Sequence, residues 1–373
     1  MNDKKHIYYF DYLRAMAVVC VIYMHVAADP LRAGINPGWH GMNLLTCFSF
    51  TAVPLFFMMS GFLLLSSERT LNISVLLKKR IPHLLVPLAA WTVAAVLRKL
   101  YITGNQTPAG LYEGLVSSLA DPAWVHLWYM YTLIAIYAIS PILYGGLHSL
   151  DKKGHIYVLV LIGLVSAKAM LQSVLPDSLD RLLDVDLITK VGFFGNHLCT
   201  FVLGFYLGSM KRKLPNWLLV AAAGLLLAVI TFGTYYLTQT TGNFNQTFQN
   251  QSAGFEVLLA ACVFLLFKQN MDRASKFLER VPVVALSLSI YLMHCILLSV
   301  MLQHYTVSTF FDTVYITLLN LVICFFAMKT AATVKPVCFL ATGMTYKAAC
   351  GSCNWIYTYN WIKDFVNRRR RQA

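Results

Sequence analysis

Apolar runs of about twenty residues, separated by short polar segments, recur along the whole chain. They fall at roughly 8–28, 43–66, 80–101, 126–147, 155–175, 190–210, 215–238, 254–270, 282–303 and 310–333. A helix rises about 1.5 Å per residue, so runs of this length can cross a hydrocarbon core about 30 Å thick. The pattern predicts an all-α, polytopic membrane helical bundle with about ten transmembrane helices. Composition agrees. Hydrophobic residues make up 58% and charged residues 12% of the chain, against a charged fraction of about 25% in soluble domains. The first run is too long for a cleaved signal peptide, lacks a small-residue cleavage site and is followed by many more runs.

A formal net charge of +14 would suggest nucleic acid in a soluble protein. Its distribution points instead to a membrane topology. Lys and Arg alternate from side to side of the predicted spans. Of the 30, 23 fall on one side, in clusters such as Lys78–Arg80, Lys211–Lys213 and Arg368–Arg371. Five fall on the other: Arg32, Arg98, Lys99, Arg181 and Lys190. The positive-inside rule then predicts both termini in the cytoplasm, and an even number of spans is consistent with two ends on one side. Residues 1–335 read as one membrane domain and residues 336–373 as a cytoplasmic tail. In the tail, Trp355, Ile356, Tyr359, Ile362, Phe365 and Val366 recur at helical spacing before Arg368–Arg371, which suits an amphipathic, polybasic anchor for anionic membrane lipids. The nine cysteines lie in spans or in the tail and predict no disulfide framework. Two external segments are polar: 176–189 carries Asp177, Asp180, Asp184 and Asp186, and 239–253 is rich in Asn and Gln.

A few costly polar residues interrupt the apolar runs, and such residues mark functional sites by default. In the first span Arg14 and His25 are eleven residues apart, about three turns, so both project from one face about 16 Å apart along the axis. Asp11 lies three residues before Arg14 on the same face, where it is expected to neutralise the guanidinium. Glu256 stands near the start of the eighth span, and Lys168 within the fifth. Further polar stations are Ser60 beside Gly61, the cluster Lys78-Lys79-Arg80 with His83, the stretch His126-Leu127-Trp128-Tyr129, and His294 in the ninth span. Small residues suit close helix packing, basic clusters suit phosphate groups, and Trp and Tyr suit membrane interfaces.

Taken in order, these stations resemble the acyltransferase-3 family of integral membrane acyltransferases. The resemblance rests on Arg14 and His25 of the first span, Phe56 to Phe62, Lys79 and Arg80, His126 to Tyr129, Leu203 to Gly208 and Ser289 to His294. It covers residues 8–335. Many members carry Arg-x-x-Arg at the third span, whereas here His83 follows Arg80. The resemblance implies a stand-alone polysaccharide O-acetyltransferase of the bacterial inner membrane. Such an enzyme takes an acyl group from cytoplasmic acetyl-CoA to a hydroxyl of a glycan or lipid-linked saccharide. On that reading His25, Arg14 and Asp11 are catalytic, with His25 as general base. Lys79, Arg80, His83 and Ser60 meet the coenzyme, and His126, Trp128, Tyr129, Glu256 and His294 meet the acceptor. No metal is expected and no nucleic acid. The competing class is a transporter, since buried Arg, His and Glu also suit a pathway for a small polar molecule.

Overall fold

The computed structural model describes residues 6–174, 197–249 and 254–353. The aspartates of 177–186, Lys190, and the tail residues from Trp355 to Arg371 lie outside them. Among the described residues the chain is helical throughout. The principal helices are α1 (Tyr8–Val26), α2 (Trp39–Ser49), α3 (Ala52–Leu65), α4 (Ile81–Thr103), α5 (Trp128–Ser149), α6 (Lys152–Val174), α7 (His197–Ser209), α8 (Asn216–Thr241), α9 (Phe255–Asn270), α10 (Val283–Met301), α11 (Phe310–Thr333), α12 (Lys335–Thr342) and α13 (Tyr346–Ser352). Among the described residues, eight segments are long and apolar enough to span a membrane, with α2 and α3 counting as one. The described part of the predicted sixth span is α7, and the predicted eighth span is α9.

Proline explains the irregularities. The single span predicted at 43–66 is broken at Phe50–Thr51 because Pro54 lacks the N–H that would bond the Phe50 carbonyl. Pro141 inside α5 frees the Tyr137 carbonyl in the same way, and the Ser140 hydroxyl donates to it at 2.7 Å. Pro87 inside α4 frees the carbonyl of His83.

The α2–α3 span is the centre of the bundle, 72% of its best apolar window being buried, while α6 is at the rim with 6%. Rim helices expose large apolar side chains such as Leu164, Leu225 and Phe232, which suits a lipid solvent. The closest crossing is α3 on α7. A Cβ on Gly61 would overlap the Phe201 carbonyl, one on Gly204 the Met58 backbone, and one on Gly208 the Phe62 ring. Two stretches that stand far apart in sequence, 56–62 and 203–208, are therefore the two faces of one contact. Lys268 closes the end of α7 by donating to the carbonyls of Leu207, Gly208 and Met210 at 2.7, 2.6 and 2.6 Å.

α4 sets the long axis. Arg80, at its start, donates to Thr70 at 2.8 Å. Arg98, near its other end, donates from Nε to the Ser299 hydroxyl and from Nη2 to the Ser299 carbonyl, each at 2.9 Å. These two arginines are about 27 Å apart along the helix and define two ends of the bundle.

Candidate active site

Three histidines from three distant parts of the chain meet at the Arg98 end. His25 comes from the last turn of α1, His126 from the short turn before α5, and His294 from the middle of α10. Ring centroids are 5.2 Å apart for His25 and His294, 4.9 Å for His126 and His294, and 6.1 Å for His25 and His126. His294 is fully buried and His126 nearly so.

Their partners fix the tautomers. His294 Nδ1 donates to the Tyr291 carbonyl at 2.5 Å, so its Nε2 carries a lone pair, 3.2 Å from Cys295 Sγ. His126 Nε2 donates to the Leu292 carbonyl at 3.4 Å, so its Nδ1 carries the lone pair. That nitrogen has no partner among the described residues. The Tyr291 hydroxyl donates to the His126 carbonyl and locks α10 to the turn before α5. His25 makes no hydrogen bond among the described residues, and His25 and His126 line a cavity of about 370 Å³. Asp29, Arg32, Gln246, Trp124, Trp128, Tyr129, Tyr291 and Cys295 complete the wall. The site thus combines proton-accepting nitrogens with aromatic faces and a rim of charged and amide groups.

A second cavity, of about 830 Å³, lies at the Arg80 end. Lys78, Lys79, Arg80 and His83 line one side, with Tyr137 deeper in. Between the cavities runs a file of polar side chains. Tyr137 lies within electrostatic reach of Arg80 and Arg14. Arg14 also neighbours Tyr129, and Ser60 sits beside both phenol groups. Tyr129 approaches Tyr291 at 5.6 Å between ring centroids, and Tyr291 reaches His126. The file joins the two ends through the interior of the bundle.

Most sequence-predicted residues fall on this line. Lys79, Arg80 and His83 are in the basic cavity; His126, Trp128 and Tyr129 are in the histidine cavity with His25; His294 completes the histidine cluster. Three placements differ. Asp11 pairs with His6 at 2.6 Å and makes no ion pair with Arg14 within 4.0 Å among the described residues, although its charge still acts on Arg14, together with Tyr137 and Tyr129. Ser60 lies midway along the file rather than in the basic cavity. Glu256 lines neither cavity. It is fully buried near Cys47, with neither carboxyl oxygen partnered among the described residues.

Tyr137, Cys295 and His197 belong to the site or its edge and are not singled out by the sequence, whereas Tyr291 lies within the Ser289–His294 stretch. His197 stacks on Phe57 and lies against Trp128, both at 4.9 Å between centroids. His25, His294 and Cys295 also offer ligand atoms within 4.8 Å of one another, a set that suits a borderline-soft divalent ion. All nine cysteines are free.

Comparison with known proteins gives the chemistry a frame. The family model described as an acyltransferase domain matches residues 7–334. No match was found among curated proteins or among solved structures. The match spans nearly the whole chain, including the histidine cavity, the polar file and the Lys78–His83 side of the basic cavity. The chain belongs to the acyltransferase-3 family and is a membrane acyltransferase.

Proposed function

We propose that the protein is an O-acyltransferase that takes an acyl group, acetyl in the simplest case, from acyl-CoA in the basic cavity. It delivers that group to a hydroxyl of a surface or lipid-linked glycan in the histidine cavity. The carrying observation is the pair of unlike cavities at opposite ends of the bundle, joined by Arg80, Tyr137, Arg14, Ser60, Tyr129 and Tyr291. Lys79 and Arg80 suit the donor's phosphates, and the long pantetheine arm then follows the polar file inward. At the far end Trp124 and Trp128 offer faces for sugar rings, while Asp29 and Gln246 offer acceptors and donors for hydroxyls. The basic end faces the cytoplasm of a bacterial cell in this reading, as the charge distribution predicts.

His25 is assigned as general base. It is the one histidine of the three whose ring nitrogens are not committed to a carbonyl, so it can turn to an incoming hydroxyl. As the acceptor oxygen attacks the thioester carbonyl, His25 takes its proton and the C–S bond breaks. Arg14, about 16 Å from His25 along α1 and beside Tyr137 and Tyr129, orients the donor's arm on its way along the file. His126 and His294 are held by Leu292 and Tyr291 and shape the pocket around His25.

The test uses purified protein, radiolabelled acetyl-CoA and glycan fractions from the producing cell. Wild type transfers label to glycan and His25→Ala does not. Protein that neither binds nor consumes acetyl-CoA would overturn this reading in favour of a transporter. Mass spectrometry of surface glycans from a deletion strain names the group and its acceptor by the mass that is lost.

A further inference from the structure

The basic cavity is not closed by α4 alone. Opposite Lys78, Lys79 and Arg80, its wall is made by Phe339, Met344, Thr345 and Ala348. These residues lie beyond residue 334, where the family match ends.

The segment is held in place by its own backbone carbonyls. Trp91 of α4 donates from its indole N–H to the Ala341 carbonyl at 3.0 Å. His83 Nδ1 donates to the Gly343 carbonyl at 2.6 Å. The Cys338 thiol reaches the Met344 carbonyl at 3.3 Å, and the Met344 N–H donates to Thr342 Oγ1 at 3.1 Å. Gly343 turns the chain at a φ of +72°, and any Cβ there would overlap the His83 carbonyl, the same carbonyl that Pro87 leaves without a helical partner. Cys338 and Thr342 are buried. Irregular backbone is tolerated inside a membrane bundle where protein partners satisfy it or where it lines a polar cavity, and this turn meets both conditions.

Resting on the acyl-CoA reading above, we propose that α12 and the turn after it are part of the donor site and hold the adenine end of the coenzyme. One side of the cavity is cationic and the other presents an aromatic ring and a thioether. A ligand that fills it is anionic at one group and apolar or aromatic at the next. In acyl-CoA the phosphates sit beside the adenosine, and the arm must run inward past Tyr137 for the thioester to reach His25. The adenine is therefore the group left at the mouth, against Phe339 and Met344.

The experiment is calorimetric titration of the purified full-length chain with acetyl-CoA, 3′,5′-ADP and acetyl-pantetheine. Wild type is compared with Phe339→Ala, Trp91→Phe and Arg80→Gln. Phe339→Ala is expected to weaken acetyl-CoA and 3′,5′-ADP by about tenfold, in the range for loss of one base–aromatic stack, and to leave acetyl-pantetheine unchanged. Trp91→Phe, which touches no ligand and releases the Ala341 carbonyl, is expected to weaken acetyl-CoA and 3′,5′-ADP by about threefold and to leave acetyl-pantetheine unchanged. If both variants bind like wild type while Arg80→Gln loses binding, the wall is refuted and the acyl-CoA reading stands. If Phe339→Ala weakens acetyl-pantetheine instead, the adenine assignment is refuted. If wild type binds none of the three, the acyl-CoA reading itself falls.

Discussion

His25 differs from its two neighbours in a single respect that decides its role. His126 and His294 each spend one nitrogen on a backbone carbonyl, which fixes ring and tautomer, whereas His25 is unattached. A positioned base contributes about 10²–10⁴-fold, so His25→Ala should lower single-turnover transfer by that factor while acetyl-CoA binding at the other end stays intact. A variant that kept transfer within tenfold would remove His25 from the chemistry. Glu256 invites the opposite expectation. A buried polar group without a partner costs about 1–3 kcal/mol, and Glu256 lines neither cavity. Glu256→Met, nearly the same in volume, should raise the thermal midpoint and leave transfer unaffected; loss of transfer in a well-folded variant would return this residue to the acceptor site.

At the scale of elements, the helices were legible in the sequence and their meetings were not. Apolar runs located the spans, because length and hydropathy are local properties. The break at Phe50–Thr51 was missed, although Pro54 announces it, since the apolar pattern continues across the break. Each of the three histidines stood out singly as a costly residue in an apolar setting. Their convergence depends on contacts between residues more than one hundred positions apart, which no local period encodes. Tyr137 and Cys295 were invisible for a plainer reason: tyrosine and cysteine in an apolar run look like core. Asp11 acts on Arg14 as its spacing predicts, but its direct partner is His6, which spacing within α1 does not disclose. The α3–α7 crossing shows what such meetings demand. Gly204→Val would push a branched side chain into the Met58 backbone, and overpacking of this kind costs about 1–3 kcal/mol or more. The expected result is a lower melting temperature and reduced yield, with Gly145→Val, where a Cβ meets open space, as the tolerated control.

For the whole molecule, the decisive property is orientation. Cys350 is exposed at the Arg80 end, and Leu119, 82% exposed, lies between α4 and α5 at the other end. In intact cells a membrane-impermeant maleimide should label Leu119→Cys at once and Cys350 only after permeabilisation. The reverse pattern would turn the molecule over and with it the assignment of donor and acceptor ends.

The position of α12 has a consequence for how the enzyme comes into being. His25 and Arg14 are among the first residues to leave the ribosome, and Met344 follows His25 by 319 residues. At about 5–20 residues per second, that interval is roughly 16–60 s. Over that interval the chain gains Lys78–Arg80, then His126 and His294, and the wall opposite the basic cluster comes last. If that wall holds the donor as proposed, the donor site is complete only after α11, the last spanning helix among the described residues, has been made.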